Sequence, residues 1–87
     1  MSILVRPALS ADAPQLAEWA KAMAWETERK TLPDEDIFPG VRRAIEQSGL
    51  AQYFIAELAG RPAGCLMLTY EWSDWRNADW WWIQSVY

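Results

Sequence analysis

The sequence contains no histidine and only one cysteine, Cys65. An intramolecular disulfide is therefore impossible, and a zinc site of the usual cysteine and histidine type lacks its ligands. Catalysis by an imidazole is excluded within these residues, and Ser85 has no histidine to activate it as a nucleophile. No apolar run approaches the roughly 18–20 residues of a membrane span. The opening "MSILVRP" has no basic region followed by a long apolar stretch, so no signal peptide is expected. No membrane partner is expected, and the cytoplasm is the default compartment. Positive charge is also in deficit: eight Lys and Arg stand against twelve Asp and Glu, for a net charge of −4. That balance disfavours a nucleic-acid partner, because binding phosphates takes cations. It suits a protein that handles small cations.

What remains is apolar and aromatic. Hydrophobic residues make up 52% of 87, enough for one small folded domain rather than a disordered chain. A domain of this size buries roughly 60–65% of its unfolded surface, so its stability margin is thin. Seven tryptophans are many for the length. They supply either buried area for a small core or a stacking platform for sugars or bases.

Ile3–Pro7 reads as a short strand closed by proline. The stretch "SADAPQLAEWAKAMAWE" reads as a helix with Ser10 or Asp12 as its cap and Pro14 in the first turn. Leu16, Trp19, Ala20 and Met23 fall at i, i+3, i+4 and i+7 and form one apolar stripe. After the charged connection "TERKTLPDED", a second helix is expected over "IFPGVRRAIEQSG". Asp34 or Asp36 lies near its start, and Val41, Ala44 and Ile45 mark its buried side. Pro39 must lie in the first turn or break that helix, and Gly49 is placed to end it in a left-handed conformation. "QYFIAEL" and "AGCLMLTYEW" flank the turn "AGRP" and predict an antiparallel hairpin. The polar loop "SDWRNAD" leads into a last strand, "WWWIQSVY".

Strict alternation puts Trp80, Trp82, Gln84 and Val86 on one face of that last strand, and Trp81, Ile83, Ser85 and Tyr87 on the other. Both faces are largely apolar, so both are expected to be covered and both edges paired. Two helices cannot do all of this. A further segment of polypeptide, or another chain, is expected to cover the Trp80–Tyr87 strand.

The residues quoted above resemble the N-terminal half of the GNAT superfamily of N-acetyltransferases. "ILVRPALSADAPQLAEW" resembles the opening of these proteins, and "TYEWSDWRN" with "WWIQSVY" resembles a bacterial subgroup. The resemblance implies an α+β fold in the order β-α-α-β-β-β, with a mostly antiparallel four-stranded sheet and two helices. Residues 1–87 are then a single truncated domain, without the pyrophosphate loop and the C-terminal half. In the family, the strand matching Trp80–Tyr87 runs into a loop of the form Arg/Gln-x-x-Gly-x-Gly/Ala, whose amides bind the pyrophosphate of acetyl-CoA. The four glycines here, Gly40, Gly49, Gly60 and Gly64, are scattered. The resemblance implies that backbone groups at Ser85, Val86 and Tyr87 contact the pantetheine arm. It also implies that the segment from Glu26 to Asp36 shapes an amine pocket beside the loop Glu71 to Asn77. Many members carry a glutamate base where this chain has Gln84. An amide cannot accept a proton at neutral pH, which leaves Gln84 an orienting role.

Several alternatives stand beside these assignments. Glu26 and Glu28, with Asp34, Glu35 and Asp36, form either a solvated, helix-capping cluster or an attractor for an amine substrate. Glu71 with Trp72 and Trp75 forms either surface packing or a cation site. Cys65 reads as a buried, inert thiol. The function implied is acetyl transfer from acetyl-CoA to a primary amine of a small molecule or peptide, by direct attack of the neutral amine on the thioester. No metal is needed. The isolated chain is expected to bind acetyl-CoA negligibly and to be inactive. The alternative is a non-catalytic half-domain that forms a homodimer, or pairs with a complementary chain, through the Trp80–Tyr87 strand. A sugar-binding tryptophan platform is a third reading, against which the helices argue.

Overall fold

The computed structural model describes residues 2–47 and 49–87. Strand β1 (Ile3–Pro7) leads through a 3-10 turn (Ser10–Asp12) into helix α1 (Ala13–Glu28). Helix α2 (Asp34–Glu46) follows, then β2 (Ala51–Leu58), β3 (Arg61–Ser73) and β4 (Ala78–Val86). The four strands form one sheet in the order β1-β2-β3-β4, and every neighbouring pair is antiparallel. The expected α+β architecture and element order are therefore the observed ones.

Both helices pack on the same side of the sheet. Ala13, Leu16 and Ala17 of α1 meet Val41 of α2 over Ile55 of β2, and these five residues are the buried core. Trp19, Ile37, Ile45, Tyr53 and Cys65 pack around them. Of the stripe read from α1, Leu16 is buried and Trp19 packs against the core, but Ala20 and Met23 are only half-buried, and Ala13 and Ala17 complete the buried side instead. Ile55 lies opposite Arg6 on β1 and Cys65 on β3. Opposite residues of an antiparallel pair share a face, so all three point towards the helices.

Three local expectations are corrected. Neither Ser10 nor Asp12 caps α1 with its side chain. The Asp12 carboxylate instead accepts the Arg6 guanidinium at 2.8 and 3.0 Å and the Leu9 amide at 2.7 Å. A charged, bidentate partner outcompetes a neutral amide for the same oxygens. Second, α2 begins at Asp34 rather than Ile37, because the amides of Asp36 and Ile37 both bond the Pro33 carbonyl. Pro39 consequently lies inside the helix. It lacks the amide that would bond Glu35, but both residues are exposed, so water can take that place. Third, α2 ends at Glu46. Gly49 does adopt a left-handed φ of 93°, but it sits beyond the helix in the turn before β2.

The hairpin of β2 and β3 turns on Ala59 and Gly60, with φ of 53° and 78°. Two successive left-handed residues match the right-handed twist of the flanking strands.

The last strand departs from simple alternation. Leu68 pairs with Ile83, but Met67 pairs with Ser85, so Gln84 is an extra residue without a cross-strand partner. This is a β-bulge, and it shifts every later side chain to the opposite face. Trp81, Ile83 and Val86 therefore share the face away from the helices, while Ser85 and Tyr87 share the helix side.

The face away from the helices is open. Ile3, Val5, Trp81, Ile83 and Val86 are each more than 60% exposed there. Val5, Phe54, Ala56, Leu66 and Val86 line a shallow apolar depression across it. Among the described residues, β4 pairs only with β3 and its other edge is free.

Candidate functional site

The C-terminal end of α1 and the C-terminal end of β4 meet. Tyr87 follows β4 and exchanges both backbone hydrogen bonds with Cys65, at 3.0 and 2.9 Å. A Cβ on Gly64 would lie 2.8 Å from the Tyr87 carbonyl oxygen, so only glycine lets β4 approach this closely. The bulge turns the Tyr87 side chain to the helix side. Its ring lies 6.3 Å from that of Trp19, tilted by 38°. Its hydroxyl donates to the Glu26 carboxylate at 3.1 Å, across 61 residues of sequence. This bond, with burial and the negative charge beside it, pushes the Tyr87 phenol above its ordinary pKa.

The helix end that carries Glu26 is electrostatically unusual. Glu26 and Glu28 occupy the last turn of α1, and no basic residue balances them within that turn. A helix C-terminus carries partial negative charge, so carboxylates there are unfavourable without a cation nearby. Arg29 caps the helix with φ of 54°, a left-handed conformation for a residue other than glycine, and its guanidinium lies 5.5 Å from the centre of the Trp25 ring.

Gln84 sits at the bulge, where its side-chain oxygen accepts the Thr69 hydroxyl at 3.3 Å. Ser85 and Val86 pair with Met67 and Leu66 on one side, and their outer edge is free. Burial pushes the Cys65 thiol above its ordinary pKa. A neutral thiol packed against the core is not a nucleophile.

The other proposed cation site is dispersed. The Glu71 carboxylate accepts the Trp82 indole N–H at 2.9 Å. Trp72 follows Glu71 on the strand and points to the opposite face. Trp75 is 95% exposed in the loop. Arg76 covers the Trp80 ring at 4.6 Å instead. The structure thus brings Glu26 to Tyr87 but does not gather Glu71, Trp72 and Trp75. Sequence reasoning missed the Glu26–Tyr87 contact because strict alternation ignored the bulge. The signal available was the polar Gln84 interrupting an apolar strand. Among the described residues, no three potential metal ligands cluster and no helix is long and apolar enough to cross a membrane.

The element order and the two helices over a four-stranded antiparallel sheet are those of the N-terminal lobe of the GNAT acetyltransferases, and the chain has that fold. It superposes on a possible acetyltransferase from Clostridium difficile 630 with a TM-score of 0.95 and 34% identity, covering 100% of this chain and 57% of that one. Two more distant structures share the fold. A ribosomal-protein-alanine N-acetyltransferase from Brucella melitensis biovar Abortus 2308 matches with a TM-score of 0.81 and 12% identity, over 100% of this chain and 57% of that one. An aminoglycoside acetyltransferase from an uncultured soil metagenomic sample, solved with sisomicin, matches with a TM-score of 0.72 and 14% identity, over 98% of this chain and 55% of that one. The chain therefore spans little more than half the length of the proteins it resembles. No protein-family model and no curated protein matches the sequence.

Proposed function

We propose that the chain is the amine-binding half of an acetyl-CoA-dependent N-acetyltransferase acting on a primary amine, and that it works when a complementary segment packs against its open sheet face. The observation that carries this reading is the superposition over the whole chain on about half of an acetyltransferase at 34% identity. The residues present fit one part of acetyl-CoA. The free outer edge of β4 at Ser85 and Val86 offers unpaired backbone groups to an amide-bearing arm such as pantetheine. They do not fit its pyrophosphate, because the glycines lie in α2, in two turns and in β3 rather than ahead of a helix start. Acetyl-CoA supplies an activated acetyl thioester. The chain's part is to hold the amine, orient it and keep its reacting nitrogen near the edge of β4. Gln84 serves orientation through its amide.

The test is complementation. The chain is co-expressed with the part of the Clostridium difficile relative that the match leaves uncovered, and release of free CoA is followed with a panel of primary amines. The pair is expected to transfer acetyl groups and the chain alone to do so negligibly. A folded, associated pair that transfers to none of the amines would overturn the reading.

The unpaired edge of β4 favours a second reading, in which two copies of this chain join through their Trp80–Tyr87 strands. Light scattering over a concentration series separates the two. A dimer at micromolar concentration favours self-pairing, and a monomer that associates only with the complementing segment favours the first reading.

A further inference from the structure

The β3–β4 hairpin outruns the sheet that carries it. β2 pairs with β3 only as far as Ala51 and Thr69, whereas β4 pairs with β3 as far as Ala78 and Ser73. Among the described residues, residues 70–73 therefore have β4 along one edge and no strand along the other. At about 3.3 Å per residue, this arm reaches roughly 13 Å past the start of β2. It carries bare tryptophans: Trp72 is 62% exposed, and Trp75 in the connecting loop is 95% exposed. A free edge of this kind is a template for another strand. At the base of the arm a cleft of about 330 Å³ opens, lined among others by Pro7, Ala44, Ile45, Ala51, Gln52 and Tyr70. That volume lies at the small end of ligand cavities, roughly 300–1,000 Å³, and suits one aromatic side chain. The Gln52 side-chain oxygen accepts the Tyr70 hydroxyl at 3.3 Å and keeps a second lone pair for an indole N–H.

We propose that two copies of this chain pair antiparallel through the free β3 edge of residues 70–73, and that Trp75 of each copy fills the cleft at the base of the other. This contact does not rest on the acetyltransferase reading. It leaves the outer edge of β4 at Ser85 and Val86 free, and with it the open sheet face at Val5 and Leu66. The register selects a second copy as the occupant. In a two-fold antiparallel pair the residue on the axis faces itself, and residues equally far to either side face each other. With Trp72 on the axis, Trp75 of one copy lies opposite Thr69 of the other, where β2 begins and the cleft opens. The arm is thus long enough to carry its own tip to its partner's cleft. The charges agree with this. Arg76 follows Trp75, and the cleft is bordered by the carbonyl end of α2, which closes on Glu46; a cation is favoured there. Trp72 and Trp75 together offer roughly 300–400 Å² of surface per copy. With the short edge this stays below the roughly 800 Å² per partner of a standard interface. The dimer is therefore weak, populated at about 100 micromolar and dissociated at about 1 micromolar.

The test is sedimentation equilibrium of the whole chain from about 1 to about 200 micromolar, with nitrogen-15 NMR spectra recorded over the same series. The Trp75 indole N–H and the Gln52 side-chain amide signals are expected to shift together as the concentration rises, with the same dissociation constant as the sedimentation gives. Trp75→Ala is expected to weaken the dimer by about tenfold or more, as removal of a pocket-filling tryptophan does. Trp75→Phe is expected to retain part of the affinity. Trp75 is exposed in a loop, so neither change threatens the fold, and circular dichroism confirms that both variants keep their helices. A chain that stays monomeric across the whole series overturns the proposal. So does a dimer that Trp75→Ala leaves intact, which assigns self-association to the β4 edge instead. Concentration-dependent shifts that spare Gln52 overturn it too, because the tip of one copy is then not in the cleft of the other.

Discussion

At the scale of single residues, one cation organises the start of the chain. Arg6 of β1 pairs with Asp12 ahead of α1 at 2.8 Å and with Glu57 of β2 at 3.3 Å. It thereby ties the first strand, the first helix and the second strand at one point. The Arg6 guanidinium, helped by the Leu9 amide, holds the Asp12 carboxyl below its ordinary pKa. A group whose folded pKa is depressed adds stability above its unfolded value, and that stability is lost as the pH falls through the folded one. Asp12→Asn is therefore expected to lower the urea midpoint at pH about 7, and the gap to the parent is expected to narrow at pH about 3, below the ordinary carboxylate value. Urea unfolding at both pH values reads this directly. A gap that stays constant would mean that the carboxyl is not what ties these elements together. This pairing was not legible in the sequence. Asp12 looked like a helix cap because residue type and spacing fitted one, and only the neighbouring strand supplied the stronger partner.

At the scale of elements, the end of β4 is decided by a bulge and a glycine. The bulge at Gln84 turns Tyr87 towards α1, and Gly64 allows its backbone to reach Cys65. Gly64→Ala is expected to push Tyr87 away from β3. Hydrogen exchange at the Cys65 and Tyr87 amides is expected to rise by about tenfold or more, with the β1–β2 pairing unchanged. Unchanged protection at both amides would show that β3 absorbs the added methyl elsewhere. The existence and type of all the long elements followed from periodicity and turn residues, as with the α1 stripe and the "AGRP" hairpin. The bulge did not, because one inserted residue leaves the local composition of a strand untouched while inverting its faces.

At the scale of the molecule, one side of the sheet is packed and the other is bare. The buried core has five residues, all between the helices and the sheet. Large apolar side chains on the opposite face reach 70% exposure. A contiguous patch of this kind exceeds what stable monomers usually leave in water. The chain is expected to bind a hydrophobic dye such as ANS strongly and to release it when the complementing segment is added. Trp81→Glu combined with Ile83→Lys is expected to lower the dye signal by several-fold without changing the helical circular dichroism. Dye binding that survives both changes would place the exposed apolar surface elsewhere.

The sequence by itself determined the element order, the absence of histidine and the apolar character of the Trp80–Tyr87 strand. These follow from composition and from periods of 3.6 and 2 residues, which are local properties of the chain. Only the tertiary structure decided which faces of that strand turn towards the helices, which carboxylate meets Tyr87 and which acid Arg6 chooses. Each of these depends on a register or a contact between residues far apart in the chain, and no local pattern encodes that distance.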